Sequence, residues 1–195
     1  MKVIVITGKT GSGKNKLSEK LSEKLGYKHI DIDKVCHTCY EDENILNKVR
    51  EYFGKNVFDG DKVNRKKLGS IVFNDKEKMQ YLTNLTYNYV VEKIDKIIAE
   101  SKQPIILNYV LLPNTKYFKD CDYRILVKCN DDDKRYKHLV MRDNVPLEYI
   151  MVRDNNSLNY NENDYNYVFV NDYDENTLET NIDKIVKEIS NKKGK

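Results

Sequence analysis

The feature that most restricts what this chain can fold into is Gly8-Lys9-Thr10-Gly11-Ser12-Gly13-Lys14-Asn15, placed directly after the apolar run Val3-Ile4-Val5-Ile6-Thr7. Glycine reaches backbone angles closed to other residues and puts no side chain between main chain and ligand, so Gly8, Gly11 and Gly13 let successive N–H groups turn onto an anion. Lys14 adds a mobile positive charge at the head of a periodic segment, where a helix N-terminus already favours negative charge. Strand, glycine-rich turn and helix in that order read as a phosphate-binding loop, with Gly8, Gly11, Ser12, Gly13, Lys14, Asn15 and Lys16 as candidate phosphate contacts. One position departs from the pattern G-x-x-x-x-G-K-[ST]: Asn15 stands where a hydroxyl ordinarily ligates magnesium. Its amide carbonyl is still a hard oxygen donor, but it lies one bond further out and carries an NH2 group that cannot ligate. Asn15 is therefore the candidate magnesium ligand, with the ion held differently or less tightly than by a hydroxyl.

Downstream, Leu17, Leu21 and Leu25 recur every four residues among charged ones, an amphipathic helix ended by Gly26. Tyr27 to Ile30 reads as a second strand that delivers Asp31 and Asp33. Ligands of open parallel sheets bind beyond the carboxyl ends of the strands, and alternate residues of an extended segment point the same way, so the two carboxylates are expected to share a site. One of them is a candidate base or metal ligand, and the other reading is that an Asp caps a helix starting near Lys34. Residues 34–53 read as mostly helical, with Gly54 as the stop. The cations Arg65, Lys66 and Lys67 either face an anionic substrate or lie on a solvated helix face. Residues 75–102 carry a helical apolar stripe with an expected break near Asn84 to Tyr89, and Tyr87 and Tyr89 read first as packing residues.

Buried strands are expected from Pro104 to Leu112 and from Tyr123 to Cys129. A helix over Asp131 to Arg142 follows, with Arg135, His138 and Arg142 brought toward one face as a candidate lid, or else a solvated surface. Residues 154–166, rich in Asn, Asp and Tyr, read as loop; a last strand covers Tyr167 to Val170, and a helix from Glu175 closes the chain. Strands alternating with helices imply an α/β fold, a parallel sheet with helices on both faces.

The length of 195 residues suits one domain, with a formal charge of +3 from 34 basic and 31 acidic residues that argues neither for nor against nucleic acid. No apolar run is long enough to span a bilayer and the N-terminus lacks a signal-peptide layout, so a cytoplasmic protein is expected. Cys36 and Cys39 have the spacing of a metal or redox pair, but Cys121 and Cys129 do not supply the second pair that zinc wants, and reduced thiols are the expectation.

The order of segments resembles the dephospho-CoA kinase family. The resemblance rests on the phosphate loop; on Ile30-Asp31-Ile32-Asp33, in place of the family's Asp-x-Asp; on Arg65 to Phe73, close to its R-x-x-L-G-x-x-V-F segment; on Arg142-Asp143; and on Val168 to Asn171. It implies a P-loop NTPase fold, a three-layer α/β/α arrangement around a five-stranded parallel sheet, in one kinase domain with a helical acceptor-binding region at about 55–100 and a lid at about 131–157. It implies transfer of the ATP γ-phosphoryl group to the ribose 3′-hydroxyl of dephospho-CoA with magnesium as cofactor, the partners being these two small molecules rather than nucleic acid or membrane. Asp33, Lys14 and Arg142 then take catalytic roles as base, phosphate cation and lid cation, and Asp31, Arg65 and Tyr87 bind the acceptor. The chain departs from the family at Asn15, at Tyr87-Asn88 where His-Pro is usual, at Leu111 to Thr115 where an acid is lost, at His138 where a lid arginine stands, and at Ser157 near a glutamine's place. Those departures keep open a kinase acting on a nucleoside or nucleotide, or a non-catalytic nucleotide-binding paralogue.

Overall fold

The computed structural model describes residues 2–155 and 157–191. In chain order the elements are β1 (Val3–Thr7), α1 (Lys14–Leu25), β2 (Lys28–Asp31), α2 (Ile32–His37), α3 (Glu43–Phe53), β3 (Phe58–Asp59), β4 (Lys62–Val63), α4 (Arg65–Val72), α5 (Lys76–Glu100), β5 (Ile105–Asn108), α6 (Lys116–Asp120), β6 (Tyr123–Lys128), α7 (Asp132–Asp143), α8 (Leu147–Asn155), β7 (Tyr167–Val170) and α9 (Glu175–Asn191). They divide into two compact units, residues 1–31 with 101–195, and residues 32–100.

The first unit holds a five-stranded sheet in the order β2-β5-β1-β6-β7, every neighbouring pair parallel. Ile4 and Ile6 of β1 join Ile106, Ile125, Val127 and Phe169 on one face, where Leu17 and Leu21 of α1 and Ile182, Ile185 and Ile189 of α9 cover them. Val5, Leu107 and Leu126 alternate to the opposite face and are buried as well, so β1 and β5 are apolar on both faces up to Thr7 and Asn108. At the carboxyl edge the register sets Asn108 beside Ile6 on one side and beside Asp31 on the other. The loop after β1 and the ends of β2 and β5 therefore emerge at one edge, where such sheets bind ligands.

The second unit packs Ile45, Val49, Val57, Phe58, Leu68 and Val72 into its own core. Its helices start on side-chain caps: Asp42 accepts from the Asn44 and Ile45 amides, and Asn64 from those of Lys66 and Lys67.

The stretch read as mostly helical over 34–53 is so, as α2, a 3-10 turn at Thr38–Glu41 and α3, the last begun by the Asp42 cap. Other segments differ from the sequence reading. Asp33 lies in the first turn of α2, so it is not the extended-strand companion of Asp31 that alternation suggested. The expected break near Asn84 does not occur: α5 runs unbroken from Lys76 to Glu100, a stretch without Gly or Pro. Helix α8, which follows Pro146, occupies residues left unassigned and the first part of the stretch read as loop, because only Ile150 is buried in it and the apolar periodicity is weak. Asn156, in that same stretch, lies outside the described residues.

Candidate active site

The loop takes its shape from glycine angles and close approaches. Gly8 has φ +146, and a Cβ there would sit 2.1 Å from the Val127 carbonyl oxygen of the neighbouring strand β6. Gly13 has φ +98, and its Cβ would meet Asn171 Nδ2 at 2.3 Å. Neither approach tolerates a side chain, so the loop lies flat against the ends of β6 and β7. Gly13 is the N-cap of α1 and makes no side-chain cap bond, so no capping side chain stands between the first turn of the helix and an anion. The Ser12 hydroxyl is buried without a hydrogen-bond partner among the described residues. Lys14 is 5% exposed, and its Nζ donates to the Lys9 carbonyl at 3.0 Å, folding the ammonium back over the loop.

Asn15 joins the loop to the strand ends. Its Nδ2 donates to Asp31 Oδ2 at 3.0 Å and its Oδ1 accepts from Asn108 Nδ2 at 2.9 Å. A carboxylate can only accept, so Asp31 fixes which end of the Asn15 amide faces it, and Asn15 in turn fixes Asn108. The Asn108 Oδ1 left over is buried without a hydrogen-bond partner among the described residues. Asp31, Asn15 and Asn108 thus offer one carboxylate and two amide oxygens, all hard donors. That set fits magnesium, which takes one or two carboxylates and fills its octahedron with phosphate and water oxygens.

The other expected residues are distributed as follows. Lys16 is exposed and paired with Glu175 of α9. Arg142 is exposed near the end of α7, its Nε donating to Asp143 Oδ1 at 2.7 Å. Burial works to raise the Asp143 carboxyl, but the Arg142 contact outweighs it and holds the group below the usual carboxylate range. Asp33, Arg65 and Tyr87 belong to the second unit. There Asp33 is exposed, Arg65 bonds His37, and the Tyr87 ring stands exposed on α5. The structure therefore gathers Lys14, Asn15 and Asp31, while Arg142 is engaged by its own neighbour. Of the cysteine pair, Cys39 is buried, which pushes its thiol up to about 12, opposite to the shift a thiolate ligand or nucleophile needs.

Three residues of this edge received no role from the sequence, Asn171 standing there only at the end of a matching segment. Asn108 had a usable signal, a polar residue closing the apolar strand Ile105–Leu107. Asn171 donates its Nδ2 to the Ser12 carbonyl at 2.8 Å. Asp154 of α8 receives Arg135 of α7 through both guanidinium NH groups, each at 2.8 Å, and Lys9 at 3.2 Å. Arg135, read as part of a cationic lid face, is 1% exposed and turned inward.

A dephospho-CoA kinase family model matches residues 2–187. Among curated relatives, a dephospho-CoA kinase of Fusobacterium nucleatum is 32% identical over 149 residues, 75% of this chain and 76% of the relative. One from Borreliella burgdorferi is 28% identical over 131 residues, 66% of this chain, and the match spans 63% of that relative's length. In fold, the chain is similar to a crystal structure of a Thermus thermophilus protein, with a TM-score of 0.76 at 22% identity over 96% of this chain and 97% of that one.

Proposed function

The chain belongs to the dephospho-CoA kinase family, a family of ATP-dependent phosphotransferases, and on that premise we propose that it transfers the ATP γ-phosphoryl group to the ribose 3′-hydroxyl of dephospho-CoA, giving CoA and ADP. The observation that carries this reading is the loop itself: an uncapped helix N-terminus, left-handed glycines at Gly11 and Gly13, and a buried Lys14 together make an anion cradle in a chain of this family. Phosphoryl transfer needs little covalent help from protein, so positioning and charge neutralisation supply most of the rate. The loop amides and Lys14 hold the phosphates. Asp33 takes the proton of the acceptor hydroxyl as its oxygen bonds the γ-phosphorus and the bond to ADP breaks. Arg65 and Tyr87 bind the acceptor, and Arg142, on a lid formed by about 131–157, exchanges its Asp143 contact for the transferred group. Asp31 with the Asn15 and Asn108 oxygens would hold magnesium, which when bound would supply neutralisation of phosphate charge. ATP and dephospho-CoA are then the partners, and a cytoplasmic site of action fits a chain in whose described residues no helix is long and apolar enough to cross a membrane.

A second reading is favoured by one observation. Asn15 is engaged at both ends of its amide, by Asp31 and by Asn108, which suits a nucleotide-binding protein that transfers nothing. Purified protein with ATP, magnesium and dephospho-CoA separates the two. CoA and ADP are expected, and Asp33→Asn is expected to lower turnover about a hundredfold or more while ATP binding is retained. ATP binding without phosphorylation of any acceptor selects the second reading, and phosphorylation of a nucleoside instead assigns a different kinase.

A further inference from the structure

Four consecutive carbonyls of the phosphate loop each accept a hydrogen bond from a side chain. Lys14 Nζ donates to the Lys9 oxygen at 3.0 Å, Arg135 to the Thr10 oxygen at 3.0 Å, the Tyr173 hydroxyl to the Gly11 oxygen at 2.8 Å, and Asn171 Nδ2 to the Ser12 oxygen at 2.8 Å. Lys14 belongs to the loop, but the other donors come from α7 and from the turn after β7, more than a hundred residues away in sequence by the separations of these bonds.

A peptide unit is planar, with its C=O and the next N–H pointing in opposite directions. Whatever holds the carbonyls of Thr10, Gly11 and Ser12 therefore also sets the directions of the Gly11, Ser12 and Gly13 amides. We propose that Arg135, Tyr173 and Asn171 are positioning residues for the triphosphate: Arg135 and Asn171 hold the Thr10 and Ser12 carbonyls away from the anion so that the Gly11 and Gly13 amides face it, and Tyr173 holds the Gly11 peptide, whose N–H on Ser12 closes the turn onto the Lys9 carbonyl at 3.2 Å. The proposal rests on the ATP-binding part of the reading above and does not depend on which acceptor is used.

Each donor is itself fixed. Arg135 is clamped by Asp154 and by Asp132, whose Oδ1 accepts from its Nε at 2.9 Å. Asn171 accepts the Tyr173 amide on its Oδ1 at 3.0 Å, which orients its Nδ2 toward Ser12. Tyr173 has φ +67, a left-handed backbone that is unusual for a bulky residue and that is kept here by the Asn171 contact and the hydroxyl bond to Gly11. The absence of a side chain at Gly13 is what lets Asn171 approach, since a Cβ would lie 2.3 Å from its Nδ2. A cradle fixed before the ligand arrives loses less entropy on binding.

The test uses inorganic tripolyphosphate, which needs the loop but neither a base pocket nor an acceptor. Calorimetric titration of Tyr173→Phe, which keeps the ring and removes the hydroxyl, is expected to show a Kd raised about fivefold, the effect of one hydrogen bond. Arg135→Lys, which keeps the charge but replaces the planar five-donor fork by three donors on one nitrogen, is expected to weaken it about tenfold or more. In turnover, Tyr173→Phe raises KM for ATP and leaves KM for dephospho-CoA unchanged. An unchanged tripolyphosphate Kd in Tyr173→Phe overturns the proposal, as does a wild-type protein that does not bind tripolyphosphate. A wild type that binds it and shows the Tyr173→Phe loss, yet forms no CoA, sinks the kinase reading and leaves this proposal standing.

Discussion

Along the outside of the sheet-bearing unit, Lys16, Lys20 and Lys24 of α1 face Glu175, Glu179 and Asp183 of α9, each set four residues apart, so that the pairs form a ladder. Behind the phosphate loop, Arg135 and Asp154 meet with side chains 1% and 8% exposed. The two sets look alike in a catalogue of ion pairs and differ in energetics. The ladder side chains stay 30–61% exposed, so forming a pair gains little and salt screens it. Burial of Arg135 costs hydration on both partners, and the cost is offset only because the guanidinium meets Asp154 with two bonds and also serves Asp132 and the Thr10 carbonyl. The hydrophobic contacts of Leu17 and Leu21 with α9 hold α1 and α9 together, and the ladder decorates them. The buried cluster instead ties α7 and α8 to the backbone that binds phosphate.

The sharpest way to break the comparison is to remove one partner of each set. Arg135→Met leaves Asp154 charged and buried with Lys9 and the Tyr136 hydroxyl but no guanidinium beside it, and urea unfolding is expected to show a loss of about 3–5 kcal/mol. Arg135→Met with Asp154→Leu removes both charges and is expected to recover most of that stability, while tripolyphosphate affinity stays low because Thr10 has lost its donor. Gly13→Ala probes the same cluster from the loop side. The left-handed backbone alone costs about 1–2 kcal/mol, and the displaced Asn171 is expected to weaken tripolyphosphate binding together with the unfolding midpoint.

Acid gives a smaller, signed effect. Burial tends to raise the Asp154 carboxyl, but Arg135 outweighs it and the net shift is downward. Its stabilisation is thus fully present above the ordinary Asp pKa of about 3.9 and is lost as pH falls through the lower folded value. The thermal midpoint of the wild type minus that of the double variant is expected to hold steady from neutral pH to about pH 5 and then to decline. Least of all is expected from Lys20→Ala, although Lys20 touches both Glu175 and Glu179. Its unfolding midpoint should move slightly at low salt and match the wild type at high salt.

Much of the fold was legible because its signals are local. The apolar run before Gly8, the four-residue spacing of Leu17 and Leu21, and the strand at Tyr167–Val170 each declare an element within a few residues. The expected break near Asn84 to Tyr89 has neither Gly nor Pro to carry it, and α5 runs through. At the site, Lys14, Asn15 and Asp31 were legible from motif and strand end. Arg135 was not assigned correctly, because helix spacing groups it with Arg142 and says nothing of which side faces inward. That side is set by Leu139, one turn from Arg135, which packs where a Gly11 Cβ would come within 2.8 Å of its Cγ.

Three features are written locally in the chain: a phosphate-binding loop follows a buried strand, strands and helices alternate, and Asn15 replaces a hydroxyl. Backbone freedom at glycine and the periodicity of apolar residues are properties of the local chain and need no partner to be read. Contacts between distant segments set Asn108 beside Asn15 and Asp31, leave Arg142 exposed while burying Arg135, and bring Tyr173 and Asn171 onto the loop carbonyls. Those facts depend on strand register and on how α7 is rotated, which are set by contacts between segments as far apart as Gly11 and Tyr173, 162 residues along the chain.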